Sequence, residues 1–90
     1  MKLKSSERAK ADLLSIRAYF DERNKAAGKK LALRLKQKLA LLRKNPQMGR
    51  LVEERPGVRE LVVDNYVLPY IIDDDTIVIL RVWHGAQDRS

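Results

Sequence analysis

Ninety residues, 10.4 kDa, with 44% hydrophobic and 34% charged residues, predict one small globular domain spanning residues 1–90 and exclude a disordered chain. The absence of cysteine excludes disulfide scaffolds, thiolate metal sites and cysteine nucleophiles. No apolar run reaches signal-peptide or membrane-spanning length, so a cytoplasmic protein with no membrane role is expected. A chain this short buries only roughly 60–65% of its unfolded surface, so a partner covering leftover apolar area would stabilise it.

The net charge of +7 is unevenly placed. Residues 1–22 sum to +1, residues 23–50 hold ten cations and no acid, and residues 51–90 sum to −4. A pI near 10.0 with its charge packed into one segment suggests an acidic partner, either nucleic acid or protein, although a solvated helix face gives the same pattern.

Residues 2–5 read as a short leading strand. Ser6 is a suitable N-cap, and Glu7 complements the positive end of a helix dipole. Ala9, Leu13, Ile16 and Phe20 then recur at spacings of four, three and four, one face of an amphipathic helix. Asn24 closes this helix or caps the next. A second helix is expected from Lys25 to Lys44, with Leu31, Leu35, Leu39 and Leu42 as its main stripe and Leu33 and Leu41 off it. Such a helix either lies between a hairpin mate and a sheet or keeps some leucines for a partner. Pro46 and Gly49 end it.

Strand character follows. Val58–Val63 comes after the Pro56-Gly57 turn signal, Tyr66–Ile72 after Asp64-Asn65, and Thr76–Trp83 after Asp73-Asp74-Asp75. Loops this short predict an antiparallel meander. Pro69 has no N–H for a ladder, so its strand should be an edge there or carry a bulge. The expected fold class is α+β: two layers, with a short N-terminal strand and an α-helical hairpin packed on the meander, one sheet face partly open.

There is no glycine-rich phosphate loop, no metal-ligand spacing and no serine close to a histidine, so neither a metal nor a cofactor is expected. The single histidine, His84, follows the last strand. Glu53 or Glu54 as base with His84 as acid would suit attack by an RNA 2′-hydroxyl, if they meet. Arg59 and Arg81 sit within apolar strands. Their stems either cover sheet surface, with bonds to Glu60 or the aspartate turn, or the two form a phosphate or carboxylate fork on the open face.

Taken in order, these segments resemble the RelE/ParE toxins of bacterial type II toxin–antitoxin pairs. The resemblance runs through Ala9, Asp12-Leu13, Ile16, Tyr19, Ala26-Ala27, Leu42, Pro46 and Gly49-Arg50. Its most specific parts are Gly57-Val58-Arg59-Glu60-Leu61, Tyr66, Tyr70, Ile79-Leu80-Arg81-Val82 and His84-Gly85-Ala86. It implies a helical hairpin on an antiparallel sheet and one of two activities: ribosome-dependent mRNA cleavage, or DNA gyrase inhibition by the ParE branch. Val67-Leu68 stand where the nucleases tend to carry a basic residue, and Gln87 where arginine is frequent, so the ParE branch is nearer. On that resemblance the expected function is a gyrase-inhibiting toxin with no chemistry of its own, contacting DNA only indirectly. An mRNA endonuclease and an inactive fold that only binds antitoxin are the alternatives. Target contacts would come from Arg59, Arg81, Trp83, His84, Gln87 and Arg89, with His84, Arg81 and Arg59 the weak catalytic candidates. A ParD-like antitoxin, apolar and acidic, would form a hetero-oligomer through Leu31, Leu35, Leu39, Arg34 and Lys38.

Overall fold

The computed structural model describes residues 1–85. In chain order it comprises β1 (Lys2–Ser5), α1 (Glu7–Arg23), α2 (Lys25–Lys44), β2 (Arg50–Leu51), β3 (Arg59–Val63), β4 (Tyr66–Asp73), β5 (Thr76–Ile79) and β6 (Trp83–His84). The helices begin where local chemistry says they should. Ser6 Oγ accepts from the Ala9 N–H at 3.0 Å. Asn24 serves both helices: its N–H donates to the Phe20 carbonyl at 2.7 Å, and its Oδ1 accepts from the Ala27 N–H at 3.1 Å. The hairpin closes tightly, because a Cβ built on Gly28 would stand 2.8 Å from the Phe20 Cβ.

The α+β expectation holds, with a richer sheet. The strand order is β1-β5-β4-β3-β2, with β6 also paired to β4. The β3–β4–β5 meander is antiparallel, while β1 joins β5 in parallel, Leu3 opposite Ile77. A two-residue β2, not anticipated from sequence, pairs Arg50 with Glu60. Both meander loops have two residues, and Asp64 and Asp74 take positive φ of 53° and 52°, a conformation that aspartate tolerates in tight hairpins.

Two strand expectations need correction. The run Thr76–Trp83 is not continuous, and the strand holding Pro69 is interior rather than an edge. The two departures share one cause. Pro69 accepts from the Leu80 N–H at 2.8 Å, and a strand residue's nitrogen and carbonyl point the same way, so its missing donor also faces Leu80–Val82. Tyr70 lies opposite Ile79, which in an unbroken ladder would place Trp83 opposite Tyr66; instead Trp83 lies opposite Val67 and His84 opposite Tyr66. One extra residue is inserted across from the proline, a bulge carried by the neighbouring segment.

The core lies between the hairpin and one sheet face. Ala9, Leu31, Leu35 and Leu42 pack on Leu61, Val63, Leu68, Tyr70, Ile77 and Ile79. The other face is not bare, since Val67 and Pro69 are buried there. Among the described residues, no helix is long and apolar enough to cross a membrane.

Candidate functional site

The bulge and the hairpin together form a groove. This groove of about 750 Å³ runs between α1, the first half of α2, the β3–β4 turn and β6. Ile16, Phe20, Leu31 and Val82 give it an apolar floor, and Asp12, Arg34, Asp64, Arg81 and His84 stand around it. Helical periodicity accounts for the floor: the α1 positions 16 and 20 and the α2 position 31 face inward with the rest of their stripes.

At one end, Arg81 is held by α1. Its Nε donates to Asp12 Oδ2 at 2.8 Å and its Nη2 to Oδ1 at 3.2 Å, a two-point grip, while the Val82 N–H donates to the same carboxylate at 2.8 Å. Burial works against ionisation of Asp12, but the bonds from Arg81 and Val82, with the charges of Arg81 and Arg8, outweigh it and hold the carboxyl below its ordinary value of 3.8. Ser6 braces the same segment, its hydroxyl donating to the Leu80 carbonyl at 2.7 Å. The bulge is thus tied to the start of α1 by two side chains. The Arg81 guanidinium also lies 5.3 Å from the Trp83 ring centroid.

His84 packs edge-on against Tyr66, ring centroids 5.3 Å apart. Burial, with a smaller contribution from Tyr19, raises the Tyr66 phenol above its usual value, so it remains a neutral hydrogen-bonding group at physiological pH. Trp83 borders both this groove and a second depression of about 640 Å³ lined by Arg50, Glu53, Glu54 and Glu60. Its indole N–H is buried without a hydrogen-bond partner among the described residues.

The residues singled out from sequence therefore divide. Arg34, Arg81, Trp83 and His84 meet at the groove, although sequence reading had assigned the first to one partner and the others to another. Arg59 is elsewhere: it lies opposite Tyr70 on the helix-covered face, and its Nη1 donates to the Gln47 and Gly49 carbonyls at 3.0 and 2.8 Å. The two arginines do not form a fork on the open face. Each is engaged elsewhere, Arg59 by the Gln47 and Gly49 carbonyls and Arg81 by the Asp12 carboxylate. Leu31 and Leu35 are buried and Leu39 packs against the core, so these leucines hold the hairpin to the sheet. The exposed leucines of α2 are Leu33 and Leu41, at 56% and 50%. Lys38 is half-buried, outside the groove. Glu53 and Glu54 line the second depression and not the groove that holds His84. Gln87 and Arg89 lie outside the described residues. Among the described residues, no cluster of histidine and carboxylate side chains could hold a metal ion.

Asp12, Asp64 and Tyr66 were not singled out as site residues from sequence. The signal for Asp12 is an isolated acid beside an apolar helix stripe and that for Asp64 a turn dipeptide; their partners lie 69 and 30 residues away, and Tyr66 gains its place through the His84 ring.

Comparison with known proteins identifies the frame in which this groove sits. The family model for the ParE toxin of the type II toxin–antitoxin system parDE matches residues 3–89. The chain belongs to the ParE toxin family. Its relatives include Toxin RelE2 of Caulobacter vibrioides, 40% identical over 81 residues that cover 89% of this chain and 90% of the relative. Among solved structures, a chromosomal ParDE toxin–antitoxin system from P. aeruginosa is 27% identical, with a TM-score of 0.78 and coverage of 93% of this chain and 95% of that one. The RelBE2 toxin–antitoxin complex of Mycobacterium tuberculosis is 28% identical, with a TM-score of 0.62 and coverage of 92% and 95%. The solved ParDE and RelBE2 structures thus share the overall fold seen here.

Proposed function

We propose that this ParE-family chain, acting in the cytoplasm as one unit over residues 1–90, inhibits DNA gyrase by occupying a surface. An acidic, apolar ParD-like antitoxin silences it by docking in the groove as part of a hetero-oligomer. The observation that carries the absence of chemistry is the dispersal of the groups cleavage would need. His84 is in the groove, Glu53 and Glu54 line another depression, and both strand arginines are committed to internal partners. General acid–base cleavage needs donor and acceptor within hydrogen-bond reach of one scissile site.

The antitoxin part of the reading draws on the groove's composition. An apolar floor flanked by α2, with its eight cations and no acid, suits the apolar face of an acidic helix, and that charge would speed the encounter. Because Arg81, Trp83 and His84 line the same groove, an antitoxin seated there would cover the surface offered to the target. Neutralisation by direct occlusion follows, with no change of shape required.

The alternative, ribosome-dependent mRNA cleavage, is favoured by one observation: His84 and Tyr66 stand together at the groove. Purified chain added to a gyrase supercoiling and DNA-cleavage assay, with primer extension on a translated mRNA in parallel, separates the two. Loss of supercoiling with intact transcripts is the expected result. Transcript cleavage that disappears in His84→Ala overturns it.

A further inference from the structure

Of the eight cations on α2, Arg34 is the one that holds a carboxylate among the described residues: its Nη1 meets Asp64 Oδ2 at 3.2 Å, across the mouth of the groove from helix to turn. Both side chains line the groove and both are substantially exposed, at 53% and 41%. An ion pair this wet contributes little to folding, so its main consequence is to hold the Nη1 edge of the guanidinium. The turn that carries Asp64 is anchored, because the Gly85 N–H donates to the Asn65 carbonyl at 2.6 Å. The pair therefore opens by a swing of the arginine side chain rather than by movement of the turn.

We propose that Asp64 is a built-in competitor, occupying Arg34 until a carboxylate of the docking antitoxin displaces it. The inference rests on the reading of the groove as the antitoxin's seat. An internal carboxylate already bound at the lip marks where a partner's carboxylate is accepted. The exchange conserves one ion pair and releases Asp64 to water, where it is already partly solvated. An apolar partner without that carboxylate would break the pair and replace it with nothing. Asp64 thereby lowers affinity for every ligand of the groove and lowers it most for partners lacking an acid at this point, which is selectivity by an occupied site.

The test uses the full chain and, as probe, the antitoxin that copurifies with it, labelled and titrated by fluorescence anisotropy. Asp64→Asn removes the charge while keeping the shape and the tolerance of positive φ. Asp74→Asn is the matched control: same charge change, φ of 52° against 53°, and no place in the groove. Asp64→Asn should bind the antitoxin about two- to fivefold more tightly than Asp74→Asn, the range an exposed ion pair covers. In an Arg34→Gln background that advantage should vanish. If Asp64→Asn binds no more tightly than Asp74→Asn, the competitor proposal is overturned. Ala27→Glu tests the groove reading separately. Ala27 lines the groove at the third position of α2, where glutamate favours helix formation, so the variant should fold. Unchanged antitoxin binding by folded Ala27→Glu overturns the docking reading itself; weakened binding there with no Asp64 effect leaves docking standing and removes only the competitor.

Discussion

Replacing Tyr70 by phenylalanine tests how the segment after α2 is held. Tyr70 is fully buried in β4, and its hydroxyl donates to the Pro46 carbonyl at 2.7 Å while accepting from the Gly49 N–H at 2.9 Å. Tyr70→Phe keeps the ring and its packing and deletes one oxygen. A buried polar group left without a partner costs about 1–3 kcal/mol, but the Pro46 carbonyl is only partly buried and can turn to water. The expected loss is therefore about 1–2 kcal/mol. In a chain of this size that corresponds to a melting temperature roughly 5–15 °C lower, measurable by far-ultraviolet circular dichroism. Gly49→Ala is the companion variant. Its Cβ would stand 2.5 Å from the Tyr70 hydroxyl and 2.8 Å from the Glu60 carbonyl oxygen. Removing the hydroxyl relieves only that clash, because the Cβ would still stand 2.6 Å from the ring carbon Cε1 and against the Glu60 backbone, so the double variant should not recover the stability of Tyr70→Phe. A Tyr70→Phe protein melting within about 2 °C of wild type would refute the reasoning.

Asp12→Asn should unfold at lower urea than wild type at pH 7. Because the folded-state pKa of Asp12 is depressed, that difference is present above the unfolded value of 3.8 and should narrow as pH falls below it towards the folded one; a gap that does not narrow in acid would sink the assignment. Leu35→Ala should cost about 2–5 kcal/mol in urea unfolding, whereas Leu33→Lys and Leu41→Lys should stay within about 0.5 kcal/mol of wild type. Equal effects at the three positions would mean that the buried stripe of α2 is misassigned. His84→Ala should retain most growth inhibition in cells lacking antitoxin, since acid–base catalysis contributes about 10²–10⁴-fold and no such loss is expected from a surface blocker.

Most of the scaffold could be read from the chain because its causes are local. Ser6 and Asn24 act on N–H groups three residues ahead, and the two hairpin loops are signalled by the dipeptides they contain. The bounds of α2, Lys25–Lys44, and the α+β class followed from periodicity and turn chemistry together. Pro69 announced a disturbance in the ladder without revealing which strand would yield. A proline states which donor is missing, but only pairing decides whether its own strand bends or the neighbour inserts a residue.

The site belongs to the other category. Amino-acid order by itself determined which faces were apolar, where the positive charge was stored, and that Arg59 and Arg81 needed an explanation. Tertiary structure decided what each arginine holds: Gln47 and Gly49 carbonyls for Arg59, and the Asp12 carboxylate, 69 residues away, for Arg81. It also decided that Leu31 and Leu35 are core while Leu33 and Leu41 face water, because the hairpin meets the sheet along one side only. Backbone propensity acts over three or four residues and leaves its mark in the sequence. A guanidinium takes whichever carboxylate the packing of distant elements brings within reach, and that distance exists only after the helices have settled on the sheet.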